Sequence, residues 1–281
     1  MNEHTKHLPY VSPNQIDLAF DPTNGCLSKW YERYLDGDPD EKSETSDALA
    51  FGSMFHDRAE HFINTGEVDL FPEAFHSYCK MIEDAWKAHG LKLSDIRAEL
   101  PISLRSIESK LRRNPEKADA VRGISPICEY TLEDIPVEGW IDVYHPLGIE
   151  DHKAVASLSG YPKEDLIAKT PMAIYADAWF QANPGKSRVL VAYNFYLKAG
   201  KRRKKATIDR REAFFTREQV AKRIEVAKQR VRRMKSLAGA HVAWTEVNNE
   251  KRGKNACFSF GKPCPLKEKG CIPKNRYGWL A

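Results

Sequence analysis

The chain contains 281 residues, of which 42% are hydrophobic, so it is long enough and apolar enough to bury a substantial core. No run of about 18 apolar residues is present, and the N-terminal residues lack the basic-then-apolar layout of a secretory signal, so we expect a cytoplasmic protein with no membrane contact. The net charge of +5 conceals an asymmetry, because residues 198–235 hold 16 Lys and Arg against 4 Asp and Glu. Such a segment is typical of a polyanion-binding surface, although a solvated helix with basic neighbours has the same composition.

The N-terminal part of the chain is predicted to be helical. Short helices are expected over residues 12–20 and 29–35, with Cys26 between them, followed by an exposed loop over 36–47. A longer helix over 48–63 has an apolar stripe at helical spacing, and its adjacent stripe carries Gly52, His56 and Glu60. Residues 73–120 are predicted to be helical throughout and to form an insertion that packs on the core.

The second half of the chain is predicted to be rich in strands. Apolar and β-branched runs bounded by turn residues predict strands at 126–133, 138–144, 148–155, 188–197 and 207–215. A helix over 171–182 begins with Thr170 and Pro171. A second helix, over 217–237, begins with a capping box formed by Thr216 and Gln219. The pattern predicts a mixed α/β protein.

The stretch GWIDVYHPLGIEDHKA, residues 139–154, contains the clearest candidate chemistry. Side chains alternate along a strand, so Asp151 and Lys153 face the same way, and the HPLG turn places Asp142 on the neighbouring strand. Two convergent carboxylates suit Mg²⁺ or Mn²⁺, and a nearby lysine can orient or deprotonate water or neutralise charge on phosphate. The alternative is a hairpin with solvent-exposed charges. Apolar flanking residues favour a core sheet, where unpaired charges would be costly.

The order of several short motifs resembles the RecB-type branch of the PD-(D/E)xK nuclease superfamily. The motifs are G-x3-H-x3-E, G-x2-D, D-x-K and a helix bearing a tyrosine, carried by Gly52, His56, Glu60, Gly139, Asp142, Asp151, Lys153 and Tyr175. The resemblance implies an α/β restriction-endonuclease-like core, with a central mixed sheet flanked by helices. It also implies that the protein is an enzyme, a metal-dependent deoxyribonuclease.

The resemblance assigns roles to individual residues. It makes His56, Asp142 and Asp151 the ligands of Mg²⁺ or Mn²⁺, with the carbonyl after Asp151 as an extra ligand. Lys153 becomes the catalytic lysine and Glu60 a supporting acid of the catalytic set. The family's last motif is Q-x3-Y, in which Tyr175 is present but Pro171 replaces the glutamine, so the DNA-contacting role of that motif is the weakest part of the match.

The six cysteines are not expected to form disulfides in a cytosolic protein. Four thiolates can hold zinc or a 4Fe-4S cluster, whereas Cys79 and Cys128 have helical or apolar neighbours and are expected to be buried and inert. One N-terminal cysteine and three C-terminal ones resemble the iron-sulfur staple of AddB-type nucleases and CRISPR-associated RecB-like exonucleases. The resemblance implies a 4Fe-4S cluster on Cys26, Cys257, Cys264 and Cys271, although the C-x6-C-x6-C spacing is wider than in those families.

The sequence as a whole predicts one RecB-like nuclease domain over 1–281, with a DNA-facing basic segment at 198–237 and a cysteine-rich tail at 248–281. Expected DNA contacts are Tyr175, Lys201, Arg202, Arg203, Lys204 and Lys205. We predict an exonuclease acting in DNA recombination, repair or phage DNA processing. Because no phosphate-binding Gly-x4-Gly-Lys-Ser/Thr loop is present, an ATP-driven helicase or a single-strand annealing protein would be a natural partner. The alternatives are a non-catalytic DNA-binding module on the same fold and a CRISPR-associated nuclease that trims DNA for spacer acquisition.

Overall fold

A computed structural model describes residues 8–22, 24–36, 47–68, 73–117, 125–200, 203–240, 258–259, 262–264 and 266. The helices are α1 (Pro13–Phe20), α2 (Leu27–Tyr31), α3 (Asp47–Thr65), α4 (Glu73–Ala88), α5 (Leu104–Arg113), α6 (Thr170–Ala182) and α7 (Arg217–Gly239). The strands are β1 (Arg97–Pro101), β2 (Thr131–Leu132), β3 (Ile135–Pro136), β4 (Trp140–His145), β5 (Gly148–Val155), β6 (Arg188–Leu197), β7 (Thr207–Thr216), β8 (Phe258–Ser259) and β9 (Lys262–Pro263). No helix within these ranges is long and apolar enough to cross a membrane.

The chain divides into two compact units. The larger unit comprises residues 44–130 and 138–224, and the smaller comprises 1–43, 131–137 and 225–281. The prediction of one domain over 1–281 stays a prediction, because a compact unit is defined by its contacts and a domain by independent folding.

A five-stranded mixed sheet forms the centre of the larger unit, which confirms the predicted architecture. Its strand order is β1-β4-β5-β6-β7. Strands β5 and β6 run parallel in continuous register from Gly148 opposite Leu190 to Val155 opposite Leu197, whereas the other neighbouring strands are antiparallel. Every residue of β6 after Arg188 is buried, as expected for a strand covered on both faces.

Helices α3 and α4 pack against one face of this sheet. Their aromatic residues Phe55, Phe62, Tyr78 and Trp86 form one cluster with Val143 of β4. Helix α6 contacts β5 and β6, and its Trp179 donates a hydrogen bond to the backbone oxygen of His145. The sheet is therefore flanked by helices, and α3 brings the predicted histidine to it.

Two of the predicted elements are wrong. Residues 73–120 are not helical throughout, because Arg97–Pro101 forms edge strand β1, which pairs with β4. Pairing with the sheet outweighs local helix propensity here, and Pro101 ends the strand, where its missing N–H costs least. The predicted strand at 126–133 shrinks to Thr131–Leu132, which pairs with Ile135–Pro136.

The hairpin of β2 and β3 belongs to the smaller unit. Its two turn residues, Glu133 and Asp134, have φ of 54° and 63°, as a tight type I′ turn requires. In the same unit, Arg232 of α7 donates to both carboxylate oxygens of Glu133, at 2.6 and 2.9 Å, and the Val11 amide donates to the Pro136 carbonyl. These contacts tie the N-terminal segment, the hairpin and the last turns of α7 together.

Candidate active site

The site lies where strands β4 and β5 separate. The two strands pair from Val143 and Glu150 to the turn, but the ladder does not extend to Asp142 and Asp151, the next residue on each strand. The carboxylate of Asp142 takes the place of a ladder partner, because its Oδ2 accepts a hydrogen bond of 2.8 Å from the backbone N–H of His152. The two predicted acids therefore flank the opening of a fork in the sheet.

Helix α3 delivers His56 to this fork. Its Nδ1 lies 3.5 Å from Oδ2 of Asp142, and Phe55 and Ala59, on the buried stripe of the same helix, fix α3 against the core. Burial would lower the pKa of His56, but the charge and hydrogen bond of Asp142 outweigh it and raise that pKa. Burial would raise the pKa of Asp142, but His56 and Lys153 hold it well below its usual value.

Strand β5 delivers Asp151 and Lys153, which face the same side of the sheet. The Lys153 ammonium lies 2.8 Å from Oδ1 and 2.6 Å from Oδ2 of Asp151. Burial raises the pKa of Asp151 to about 6, a rise that Lys153 opposes and Asp142 reinforces. Burial would lower the pKa of Lys153, but the two carboxylates raise it. The two carboxylates thus favour the ammonium form of Lys153, the form that can neutralise negative charge.

Tyr175 of α6 lies beside the two acids. It is buried, and its pKa is raised by burial and by the charges of Asp142 and Asp151. Gly139 makes room for it, because a Cβ at that position would lie 3.0 Å from Cε1 and 3.2 Å from the hydroxyl of Tyr175. The glycine is also fixed by hydrogen bonds, donating its N–H to Ser106 and accepting from the Ile102 amide. Tyr175 thus lines the site, whereas its predicted contact with DNA stays a prediction.

Tyr161 is a site residue that the sequence did not indicate. Its pKa is raised by burial, and Lys153 acts against that rise. Its ring packs on Phe195 and Tyr193 at centroid distances of 5.0 and 5.6 Å, and Arg211 donates hydrogen bonds to its carbonyl and to that of Pro162. The loop before α6 is therefore held against β6, on the face of the sheet that carries Lys153. The turn sequence SGYP carries no signal for this placement.

A buried network on the opposite face of β5 was also missed. The Glu150 carboxylate is fully buried and accepts hydrogen bonds from Trp86, Asn194 and Arg210. The neighbouring His152 ring lies 2.5 Å, Nδ1 to hydroxyl, from Tyr78 of α4. These residues belong to different elements, and only their assembly in the fold reveals the network.

The remaining predicted residues are only partly brought to the site. Glu60 is half-buried one helical turn beyond His56, and it forms no hydrogen bond or ion pair with the described residues of the fork. Lys204 and Lys205 are exposed, and Arg203 donates to the backbone oxygens of Ala156 and Lys198. Lys201 and Arg202 lie outside the described residues.

Part of the basic segment has a structural role. Arg210 is committed to Glu150, and Arg211 to the loop that contains Tyr161. Arg217 donates to the carbonyls of Phe180, Asn183, Pro184 and Lys186. The excess of positive charge at 198–237 therefore overstates the charge available to a polyanion.

The structure describes four of the six cysteines, and burial was predicted for two of these, Cys79 and Cys128. Cys79 is buried, and burial raises the pKa of its thiol to about 12, so it stays protonated and inert. Cys128 is half-buried, with its pKa raised to about 11. Cys26 and Cys264 are buried in the smaller unit, and neither forms a disulfide with a described cysteine. Cys257 and Cys271 lie outside the described residues, so the iron-sulfur staple stays a prediction.

The donor atoms at the fork suit a metal ion chemically. No three His, Cys, Asp or Glu side chains in the described ranges lie close enough together to form a metal site as they stand. Oδ2 of Asp151 is nonetheless buried and makes no hydrogen bond of acceptable geometry, although the ammonium is near. Two carboxylates and a backbone carbonyl are the oxygen ligands that Mg²⁺ and Mn²⁺ prefer.

A comparison with protein families identifies the superfamily to which the chain belongs. The family model of the PD-(D/E)XK nuclease superfamily matches residues 20–268. This range contains the residues of the fork and all five strands of the central sheet. The chain belongs to the PD-(D/E)XK nuclease superfamily. Residues 151–153 read D-H-K, which has the spacing of the (D/E)XK element in that name. The protein is accordingly a nuclease with a restriction-endonuclease-like fold.

Other comparisons add little to the superfamily assignment. A solved structure from Eubacterium rectale, of a protein described as a candidate exonuclease, is 12% identical with a TM-score of 0.43. The match covers 96% of this chain and 97% of that one. This likeness is too distant to carry an argument. A search of curated proteins finds no significant sequence match.

Proposed function

We propose that this PD-(D/E)XK nuclease is a metal-dependent DNA exonuclease of the RecB type. The observation that carries the proposal is the meeting of His56, Asp142, Asp151 and Lys153 at the fork between β4 and β5. The first two are 3.5 Å apart and the last two are in hydrogen-bonding contact. These are the residue types that metal-assisted phosphodiester hydrolysis requires.

The roles of the residues follow from their contacts. His56, Asp142, Asp151 and the His152 carbonyl would hold Mg²⁺ or Mn²⁺, and the ion would supply a polarised water and positive charge beside the phosphate. Because a nitrogen ligand suits softer ions better, we expect Mn²⁺ to support activity at least as well as Mg²⁺. The Lys153 ammonium holds Asp151 and would neutralise charge that develops on the phosphate. Glu60 is proposed to support His56 from the next turn of α3.

The protein's DNA contacts are proposed to include Tyr175 and the residues from Lys201 to Lys205. A helicase or a single-strand annealing protein would supply unwound DNA, and a role in recombination, repair or phage DNA processing would follow. The protein is proposed to act in the cytoplasm. Pull-down from cells that express the tagged protein should recover such a partner, and recovery of neither class would remove this part of the proposal.

The activity is tested with end-labelled linear DNA and a closed circular DNA of the same sequence, with Mg²⁺ or Mn²⁺. Wild-type protein should degrade the linear form from its ends and leave the circle intact. Lys153→Met should lower the rate by about 100-fold or more, since electrostatic stabilisation of this kind contributes on that scale. Lys80→Met serves as the control, because Lys80 is exposed on α4 and pairs with Asp84.

The outcomes separate three interpretations. Cleavage of the circle would make the protein an endonuclease. If wild type and Lys153→Met both bind DNA and neither cuts it with either metal, the protein is a non-catalytic DNA-binding module. A CRISPR-associated trimming role would require a defined overhang length in the products instead of complete degradation.

We further propose that Cys26, Cys257, Cys264 and Cys271 hold a 4Fe-4S cluster, with zinc as the alternative. Protein purified without oxygen should show the broad visible absorption of thiolate-bound iron, and each Cys→Ser variant should lose it. A colourless protein containing stoichiometric zinc would establish the alternative, and a protein without either metal would remove both.

A further inference from the structure

A cleft of about 700 Å³ opens on the larger unit beside helix α3. Its walls come from α3, α4, the end of β6 and the segment before β7. The residues that give it chemical character are Phe51, Glu73, Tyr196, Lys198, Lys204 and Lys205. Three are lysines and one is acidic, so the lining carries net positive charge beside two aromatic rings.

The aromatic and cationic groups are adjacent within this cleft. The rings of Phe51 and Tyr196 lie 6.2 Å apart at a tilt of 33°. The Lys198 ammonium lies 5.0 Å from the centre of the Phe51 ring. Lys204 and Lys205 are exposed and make no ion pair with the described residues, so their charge is available. An aromatic surface beside ammonium groups is the combination that binds a base and its phosphate in single-stranded nucleic acid.

The cleft is connected to the fork through two elements. Phe51 precedes His56 by five residues on α3, about 7.5 Å along the helix axis. Tyr196 of β6 lies opposite Ala154, the residue after Lys153 on β5. Packing holds this connection rigid, because Tyr196 also contacts Phe55, whose ring centroid is 5.2 Å away. The cleft is therefore reached from the fork along α3, past His56, and it lies on the opposite face of β5 from Asp151 and Lys153.

We propose that this cleft is a nucleotide subsite that binds one unpaired nucleotide of the DNA strand near the fork. The base packs against Phe51, which is held in place by the buried Tyr196 ring, and its phosphate is bound by Lys198 with Lys204 and Lys205. The inference rests on the proposed function, since it assigns a single-stranded segment of the substrate to the nuclease. It also explains why Lys198, Lys204 and Lys205 form no ion pair with any residue that the structure describes, whereas Arg210, Arg211 and Arg217 bind groups within the fold.

The test measures binding without cleavage. Fluorescence anisotropy in the presence of EDTA records the affinity of wild-type protein for short oligonucleotides, each with one abasic site or one uncharged methylphosphonate at a successive position. One abasic position should weaken binding about fivefold or more, the scale on which one base stacks on protein. In Phe51→Leu, an abasic site at that position should no longer weaken binding. In Lys198→Ala, a methylphosphonate at a neighbouring position should no longer weaken binding.

Two further variants keep the result interpretable if Phe51→Leu weakens the fold. Phe51→Trp keeps a ring at the cleft, so it should preserve the abasic profile and show quenching of its fluorescence when DNA binds. Lys80→Ala, on the same helix as the cleft residues Glu73 and Ser77, should leave both profiles unchanged.

The outcomes separate the subsite from the activity. A flat abasic profile in wild type, or an unchanged profile in Phe51→Leu, overturns the subsite even if the protein cuts DNA. The expected coupling in a protein that never cuts DNA retains the subsite and removes the nuclease activity. Absence of DNA binding in EDTA overturns the subsite and leaves the nuclease activity to be decided by the cleavage assay.

Discussion

Replacing Arg210 by Met should destabilise the protein and make its stability depend on pH in a defined way. The guanidinium lies 2.7 and 2.9 Å from the two oxygens of Glu150, a carboxylate with no solvent exposure. Removing one partner of such a buried pair costs about 3–5 kcal/mol, because the other charge is left uncompensated. Trp86 and Asn194 would still donate to Glu150, so we expect the lower end, about 3 kcal/mol, a large fraction of the stability of a typical domain.

The pH dependence follows from the pKa of Glu150. Burial would raise that pKa, but Arg210 holds it well below the usual value. In the wild type the carboxylate therefore contributes stability above its unfolded pKa, and this contribution is lost as the pH falls through the folded pKa. In Arg210→Met burial prevails and the folded pKa rises above the unfolded one. The stability deficit should then be largest at neutral pH and shrink as the pH falls towards about 4.

Urea denaturation at several pH values, followed by tryptophan fluorescence, measures this deficit. Lys80→Met is the surface control and should change the free energy of unfolding by no more than about 0.5 kcal/mol. The double variant Arg210→Met with Glu150→Gln should recover part of the loss, because the uncompensated charge is gone. A deficit below about 1 kcal/mol, or one that does not change with pH, would refute the reasoning.

Three further changes test the surroundings of the site. Gly139→Ala should lower nuclease activity at least about tenfold, because the added Cβ would lie 3.0 Å from the Tyr175 ring and displace it. Gly160→Ala, whose added Cβ would meet open space, is the matched control. Equal activity in the two variants would contradict the role of the Tyr175 ring. Gly52→Ala should raise the free energy of unfolding by about 0.5–1 kcal/mol, since the position is inside α3 and has open space; if activity falls while stability rises, DNA approaches the α3 backbone there. Tyr78→Phe should lower the free energy of unfolding by about 1 kcal/mol, because it removes the hydroxyl that contacts the His152 ring. A thermal melt identical to that of the wild type would exclude this contribution.

The sequence predicts regular elements well wherever hydrophobic periodicity is strong. The bounds of β5 and β6 match the prediction residue for residue, and α3, α6 and α7 differ by no more than a few residues. The β2–β3 hairpin was missed because its turn is Glu-Asp instead of a glycine-containing pair. Strand β1 was missed because its conformation depends on pairing with β4, which lies about 40 residues further along the chain.

The candidate site was predictable only in part. The resemblance predicted the four side chains that meet at the fork, because the residue types and spacing of the family's motifs can be recognised in a single sequence. It could not indicate Tyr161, the Tyr78–His152 contact or the Glu150 network. The Tyr78–His152 contact and the hydrogen bonds of Glu150 join residues 44 to 74 positions apart, and no local pattern specifies which partner a buried polar residue will find. The separation of β4 and β5 could not be predicted from the sequence either. The alternation of apolar and polar residues predicts which face of the sheet each side chain occupies, but it does not predict where the hydrogen bonding between two strands ends.

The parallel pairing of β5 and β6 affects the order in which a newly made chain can assemble its site. Asp151 and Lys153 are synthesised well before residues 188–197, the strand that covers the free edge of theirs. Until that strand and α6 have left the ribosome, β5 presents unpaired backbone groups and an apolar edge. The β4–β5 hairpin therefore remains open to wrong partners during translation, and a chain that stops before residue 188 should aggregate.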